Sequence, residues 1–138
     1  LPEQLLRPVE CLAQNLFVSA PSLSQHAALA AFDSHDELRE NVAVYARNRE
    51  ILLDGLPKAG FDRLAPADGA FYLYADIAER TNDAKQFCQR MPAETGVATT
   101  PGIDFDPGRG HTQMRFSYCA SSTDVEEAVR RLQGWSGR

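Results

Sequence analysis

Gly96-Val97-Ala98-Thr99-Thr100-Pro101-Gly102-Ile103-Asp104-Phe105 leads through a Gly/Pro-rich loop into Gln113-Met114-Arg115-Phe116-Ser117-Tyr118-Cys119-Ala120. A short apolar strand is expected to run into Pro101-Gly102. The loop that follows holds Pro107, Gly108 and Gly110. The second strand alternates, with Met114, Phe116 and Tyr118 on one face and Gln113, Arg115 and Ser117 on the other. Arg115 thus falls in mid-strand behind a long loop. Its planar fork matches a carboxylate in a bidentate pair. A cross-strand salt bridge at a sheet edge is the other use of such an arginine, and spacing alone favours it.

Outward from this stretch, the signals change period. Towards the C-terminus, Thr123 and Glu126 have capping-box spacing, with Val125, Val129 and Leu132 on one helical stripe. Towards the N-terminus, Asn82 or Asp83 opens a short helix carrying Ala84, Phe87, Cys88 and Met91, which Pro92 ends or kinks. Before it, Phe61–Ala65 and Gly69–Ile77 read as strands joined by Pro66-Ala67-Asp68, with Phe71, Leu73 and Ala75 alternating with Tyr72, Tyr74 and Asp76. A long helix precedes them, with Leu38, Val42, Tyr45, Leu52 and Leu56 along one side and Pro57 and Gly60 as its stop. Ser34 and Glu37 would cap it. Ser22 and Gln25 would cap a helix through Phe32, rich in Ala27, Ala28, Ala30 and Ala31. The first helix starts near Pro2 and carries Leu5, Val9, Leu12 and Leu16 on a stripe, with 15–20 as a linker. The expected core includes Phe71, Leu73, Phe116, Tyr118, Val42, Leu52, Val129 and Leu132.

The resulting order is three helices, two strands, a helix, two strands and a helix. It predicts an α+β, two-layer fold with a small mixed, mostly antiparallel sheet covered by helices. A chain of 138 residues can bury a core as one domain, and 43% apolar with 24% charged residues suits a soluble globular protein. The net charge of −5, without a basic run, gives no nucleic-acid footprint. No apolar stretch approaches a membrane span, and no signal-peptide pattern opens the chain. Cys11, Cys88 and Cys119 are widely spaced and odd in number, which favours free thiols in a reducing cytoplasm. The opening at Leu1-Pro2, without an initiator methionine, reads as a fragment of something longer.

Four pieces, in order, carry a family resemblance: Pro21-Ser22-Leu23-Ser24-Gln25, Tyr45-Ala46-Arg47-Asn48-Arg49-Glu50, Gly69-Ala70-Phe71-Tyr72, and Gly96–Gly102 followed by Met114–Tyr118. Together they resemble the C-terminal segment of aspartate-aminotransferase-like enzymes, the fold-type I, class I/II aminotransferases that use pyridoxal phosphate. The resemblance implies that residues 1–138 are the C-terminal, small domain, with 1–32 the end of the large domain or the interdomain helices. It implies a domain that closes the active site, with Arg115 gripping the α-carboxylate of the amino-acid or 2-oxo-acid substrate. It further implies pyridoxal 5'-phosphate bound mainly by the absent large domain, a homodimer for the intact protein, and a place in cytoplasmic amino-acid metabolism.

The chemistry of transamination also needs a lysine that forms the Schiff base. Lys58 and Lys85 are the two lysines, and neither follows a Ser/Thr-rich strand end. The resemblance puts that lysine upstream of Leu1, so the isolated chain is expected to be inactive, with no catalytic or cofactor-binding residue of its own. Other constellations fail. Gly108-Arg109-Gly110 lacks a third glycine, the Asp104/Asp106 pair lacks later calcium ligands, and no cysteine pair has zinc spacing. His26, His35 and His111 are scattered, although His111 lies near Arg115 in sequence. Tyr72 and Tyr74 read as packing residues. Two other functions stay open: the effector domain of an aminotransferase-like, winged-helix transcription regulator, and a stand-alone module binding small carboxylates. The amino-acid substrate is not legible.

Overall fold

A computed structural model describes residues 1–137. The chain divides into two compact units, Leu1–Arg39 and Glu40–Arg138. The first holds α1 (Glu3–Leu16), α2 (Ser22–Ala31) and the start of α3 (His35–Lys58). No residue of α1 or α2 is buried. The Leu5, Val9, Leu12 and Leu16 stripe forms on α1 as the spacing predicts, and it faces solvent. The expected Ser22 cap is absent: Pro21 takes the N-cap position, and the Gln25 amide donates to the Ala20 carbonyl at 2.7 Å. Ser34 likewise spends its hydroxyl on the Ala30 carbonyl, at 3.2 Å.

The second unit holds the remainder of α3, β1 (Tyr72–Asp76), α4 (Ala84–Thr95), β2 (Thr100–Pro101), β3 (Gln113–Ser117) and α5 (Ser122–Gln133), with short 3-10 turns at Gly102–Asp104 and Gly110–Thr112. The strands form one antiparallel sheet, ordered β1-β3-β2. Leu73 pairs with Phe116 and Ala75 with Met114, and all four are buried. This face meets Leu52 and Leu56 of α3, Phe87, Cys88 and Met91 of α4, and Val125, Val129 and Leu132 of α5 in one core. Phe61 joins it edge-on to Phe116, with ring centroids 5.2 Å apart.

Several expectations are corrected. Residues 61–65 form no strand. Leu64 makes a single bridge to Ala75, flanked by bonds from Ala65 N to Tyr74 O and Asp76 N to Arg63 O, both 2.8 Å. The strand expected before Pro101 shrinks to two residues, Thr100–Pro101. Among the described residues the sheet is three-stranded and antiparallel with helices packed on it, in keeping with the α+β expectation. Pro57 and Pro92 both lie inside helices. Pro92 removes one donor, but α4 runs on to Thr95, its last turn closed by Thr95 Oγ1 to Met91 O and Gly96 N to Pro92 O, both 2.8 Å. The cap of α5 is Ser121 accepting from Asp124 N, at 3.1 Å, not Thr123 with Glu126. Asp83 caps α4 as expected. Two expected core residues are exposed: Phe71 (46%) and Val42 (64%). Ala70 has φ 60°, so the chain is still turning at Phe71 and the strand begins one residue later. Val42 sits on α3 before the helix reaches the core at Asn48.

Candidate functional site

The face of the sheet opposite the core carries Tyr72, Tyr74, Thr100 and Arg115. Register makes this grouping: Arg115 lies between Tyr74 on β1 and Thr100 on β2, and Tyr72 stands diagonally across. Directly opposed residues of an antiparallel ladder share a face, and diagonal neighbours remain within reach of long side chains.

Arg115 is half-buried. Its Nη2 donates to Thr100 Oγ1 at 3.3 Å, and its buried Nε has no partner among the described residues. Its Cζ lies over the Phe105 ring at 4.7 Å and over the Tyr72 ring at 5.3 Å. No carboxylate within ion-pair distance holds it among the described residues, so the cross-strand salt bridge that spacing favours is not formed. A cavity of about 360 Å³ opens beside it, lined by Tyr72, Tyr74, Phe105, Asp106 and Arg115.

The loop from Pro101 to Thr112 forms one wall, and its shape follows from its residues. Gly110 packs so closely on Gly102 that a Cβ there would stand 2.3 Å from the Gly102 carbonyl carbon and oxygen. Only glycine permits that approach. Asp106 Oδ1 accepts from Gly108 N at 2.9 Å and Arg109 N at 3.0 Å, and Oδ2 pairs with Arg109 Nε at 3.1 Å. These bonds, those to Arg109 first, hold its carboxyl below the usual carboxylate range. Asp106 is thus a turn-former, and no metal-ligating cluster occurs among the described residues. Burial, with Asp106 adding to it, pushes the Tyr74 hydroxyl upward, so it stays protonated at neutral pH. It donates to the Gly102 carbonyl at 3.5 Å.

The other residues singled out from sequence lie elsewhere. Lys58, at the end of α3, is exposed and pairs with Asp54 at 2.6 Å; Lys85 is exposed on the first turn of α4. His26, His35 and His111 are exposed, and His111 does not line the cavity. Sequence reasoning missed that Tyr72, Tyr74 and Thr100 share a face with Arg115, although the alternation that buries Leu73 and Ala75 already put the tyrosines on the opposite face. Phe105 had no such signal, because it belongs to irregular backbone.

Residues 4–132 match the sequence profile of aminotransferase class I and II. A valine–pyruvate aminotransferase of Mycobacterium tuberculosis (strain ATCC 25618 / H37Rv) is 50% identical over 137 residues, covering 98% of this chain and 35% of the relative. A crystal structure of an aminotransferase from Mycobacterium tuberculosis superposes with a TM-score of 0.86 at 50% identity, over 98% of this chain and 35% of that one. Aspartate aminotransferase from Thermus thermophilus, solved with maleate, gives a TM-score of 0.74 at 28% identity, over 96% and 35% of the two chains. The chain spans about a third of the length of these relatives.

Proposed function

The chain belongs to the aminotransferase class I and II family, and from that premise we propose that it is the C-terminal domain of an aminotransferase in which Arg115 binds the α-carboxylate of the amino-acid and 2-oxo-acid substrates. The observation that carries the reading is the state of this guanidinium. It is fixed in mid-strand beside a cavity, it is paired with no protein carboxylate among the described residues, and its Nε is buried without a partner. A buried unpartnered donor is costly. A carboxylate ligand supplies the acceptors that the protein withholds, and the planar fork meets it with two parallel N–H···O bonds. Maleate, found with the Thermus thermophilus relative, is itself a dicarboxylate.

Family membership implies pyridoxal 5'-phosphate. The residues of this chain do not fit as its holder. Both lysines face solvent, Lys58 pairs with Asp54, and neither lines the cavity at Arg115. In this reading the Schiff-base lysine and the phosphate anchors belong to the part of the protein outside these 138 residues. The unit beginning at Glu40 is the small domain that closes the active site, and residues 1–32 belong to the end of the large domain or the connection between domains. The reading carries with it a homodimer. The three free cysteines accord with the cytoplasm.

The test is steady-state kinetics of Arg115→Lys and Arg115→Ala in the full-length protein, with thermal melts alongside. Losing a charge-assisted pair should cost about 1.5–3 kcal/mol, roughly tenfold to over a hundredfold in kcat/KM. Arg115→Lys should already be harmful, because an ammonium cannot reproduce the fork. The melting temperature should hold, since the guanidinium lies outside the core. Near-normal kcat/KM would remove Arg115 from the site.

A further inference from the structure

Arg115 must be held still without losing the N–H groups a carboxylate needs. The usual way to fix an arginine, a protein carboxylate, would consume those donors. Here the guanidinium carries one weak hydrogen bond, to Thr100, and lies over two aromatic rings. A ring face attracts a cation through its quadrupole and takes no N–H. The two rings come from separate elements: Tyr72 from the first position of β1, Phe105 from the loop after the 3-10 turn. Phe105 is 54% exposed, so burial in the core does not account for its place, and its backbone N–H is tied to the Gly102 carbonyl at 2.9 Å.

We propose that Tyr72 and Phe105 are positioning residues, an aromatic seat that orients the Arg115 guanidinium while leaving its donors free for carboxylate. The inference rests on the assignment of Arg115 to carboxylate binding. It adds that the loop, through Phe105, sets the strength of that binding. Tyr72 is anchored by the ladder, whereas Phe105 depends on the loop's Gly102–Gly110 contact and on the Asp106 turn. Loop geometry is thereby coupled to the direction in which the fork points.

The experiment uses the full-length protein with acetate as the carboxylate probe. The readout is the side-chain 15Nε–1H resonance of Arg115, assigned by its loss in Arg115→Lys. In the unsubstituted protein this resonance should be ring-current shifted and should move on acetate addition. Phe105→Leu keeps bulk and removes the quadrupole. It should abolish part of the ring-current shift and weaken acetate binding about threefold to thirtyfold. Phe105→Tyr should restore both. A resonance and an acetate dissociation constant unchanged in Phe105→Leu overturn the seat and leave the carboxylate site standing. Acetate that leaves Arg115 unmoved in the unsubstituted protein overturns the carboxylate assignment, and the seat's purpose falls with it.

Discussion

A single aromatic position shows how strongly one residue's fate depends on where a strand begins. Phe116 is 3% exposed and packs edge-on to Phe61. Phe116→Ala should cost about 3–5 kcal/mol, from lost transfer energy and an unfilled cavity. Phe71→Ala should stay within about 1 kcal/mol, because that ring is half in water before the backbone settles into β1. Denaturant titration of the two variants checks both, and equal losses would mean that the face assignment is wrong. The alternation in Met114–Tyr118 was fully legible, since a period of two admits only two faces. Phe71 was misplaced because the positive φ of Ala70 left no mark in the hydrophobic pattern.

Helix α5 crosses α3 where Gly55 meets Val129. A Cβ at Gly55 would stand 2.4 Å from Val129 Cγ1 and 2.9 Å from Cγ2. Alanine is intrinsically the better helix former by about 1 kcal/mol, yet overpacking typically costs about 1–3 kcal/mol. Gly55→Ala should therefore destabilise, and Val129→Ala in the same chain should recover part of the loss. Additive losses in the double-mutant cycle would deny the contact. The same helix carries Glu127, whose Oε1 accepts from Arg130 Nη2 at 2.6 Å and Arg131 Nε at 2.7 Å. Arg130 first and Arg131 second lower its carboxyl from 4.5 to about 2. A depressed carboxylate stabilises the fold fully above its unfolded value and loses that contribution as pH falls. The window is therefore from about 4.5 down to about 2. Glu127→Gln should flatten acid unfolding across it, with the difference shrinking at high salt. Arg131 also donates to Thr95 O at 3.3 Å, so this cluster ties α5 to the end of α4. The helices themselves were readable from apolar spacing, but three proposed capping boxes failed. A Ser/Thr three residues before a Glu/Gln describes a possible bond, and the competing carbonyl at Ala30 or the earlier Ser121 is visible only once the chain has turned.

At the scale of the molecule, the chain spans about a third of its relatives' length, and the unit from Glu40 onward holds a core of its own. The isolated chain should form no covalent adduct with pyridoxal 5'-phosphate. Absorbance after incubation, borohydride trapping and peptide mapping test this, and stoichiometric labelling of Lys58 or Lys85 would show the expectation to be mistaken. Sequence alone determined the helices, the buried faces of β3, α4 and α5, and the family. These follow from local periodicity and from ordered short motifs, which do not require long-range contacts to be known. Tertiary structure decided the sheet order β1-β3-β2, the absence of a strand at 61–65, and the company Arg115 keeps. Strand pairing joins residues far apart in the chain, as Tyr72 with Ser117 and Thr100 with Arg115. The partners of a guanidinium are set by register and by the path of an irregular loop, and neither leaves a period in the sequence for a reader to find.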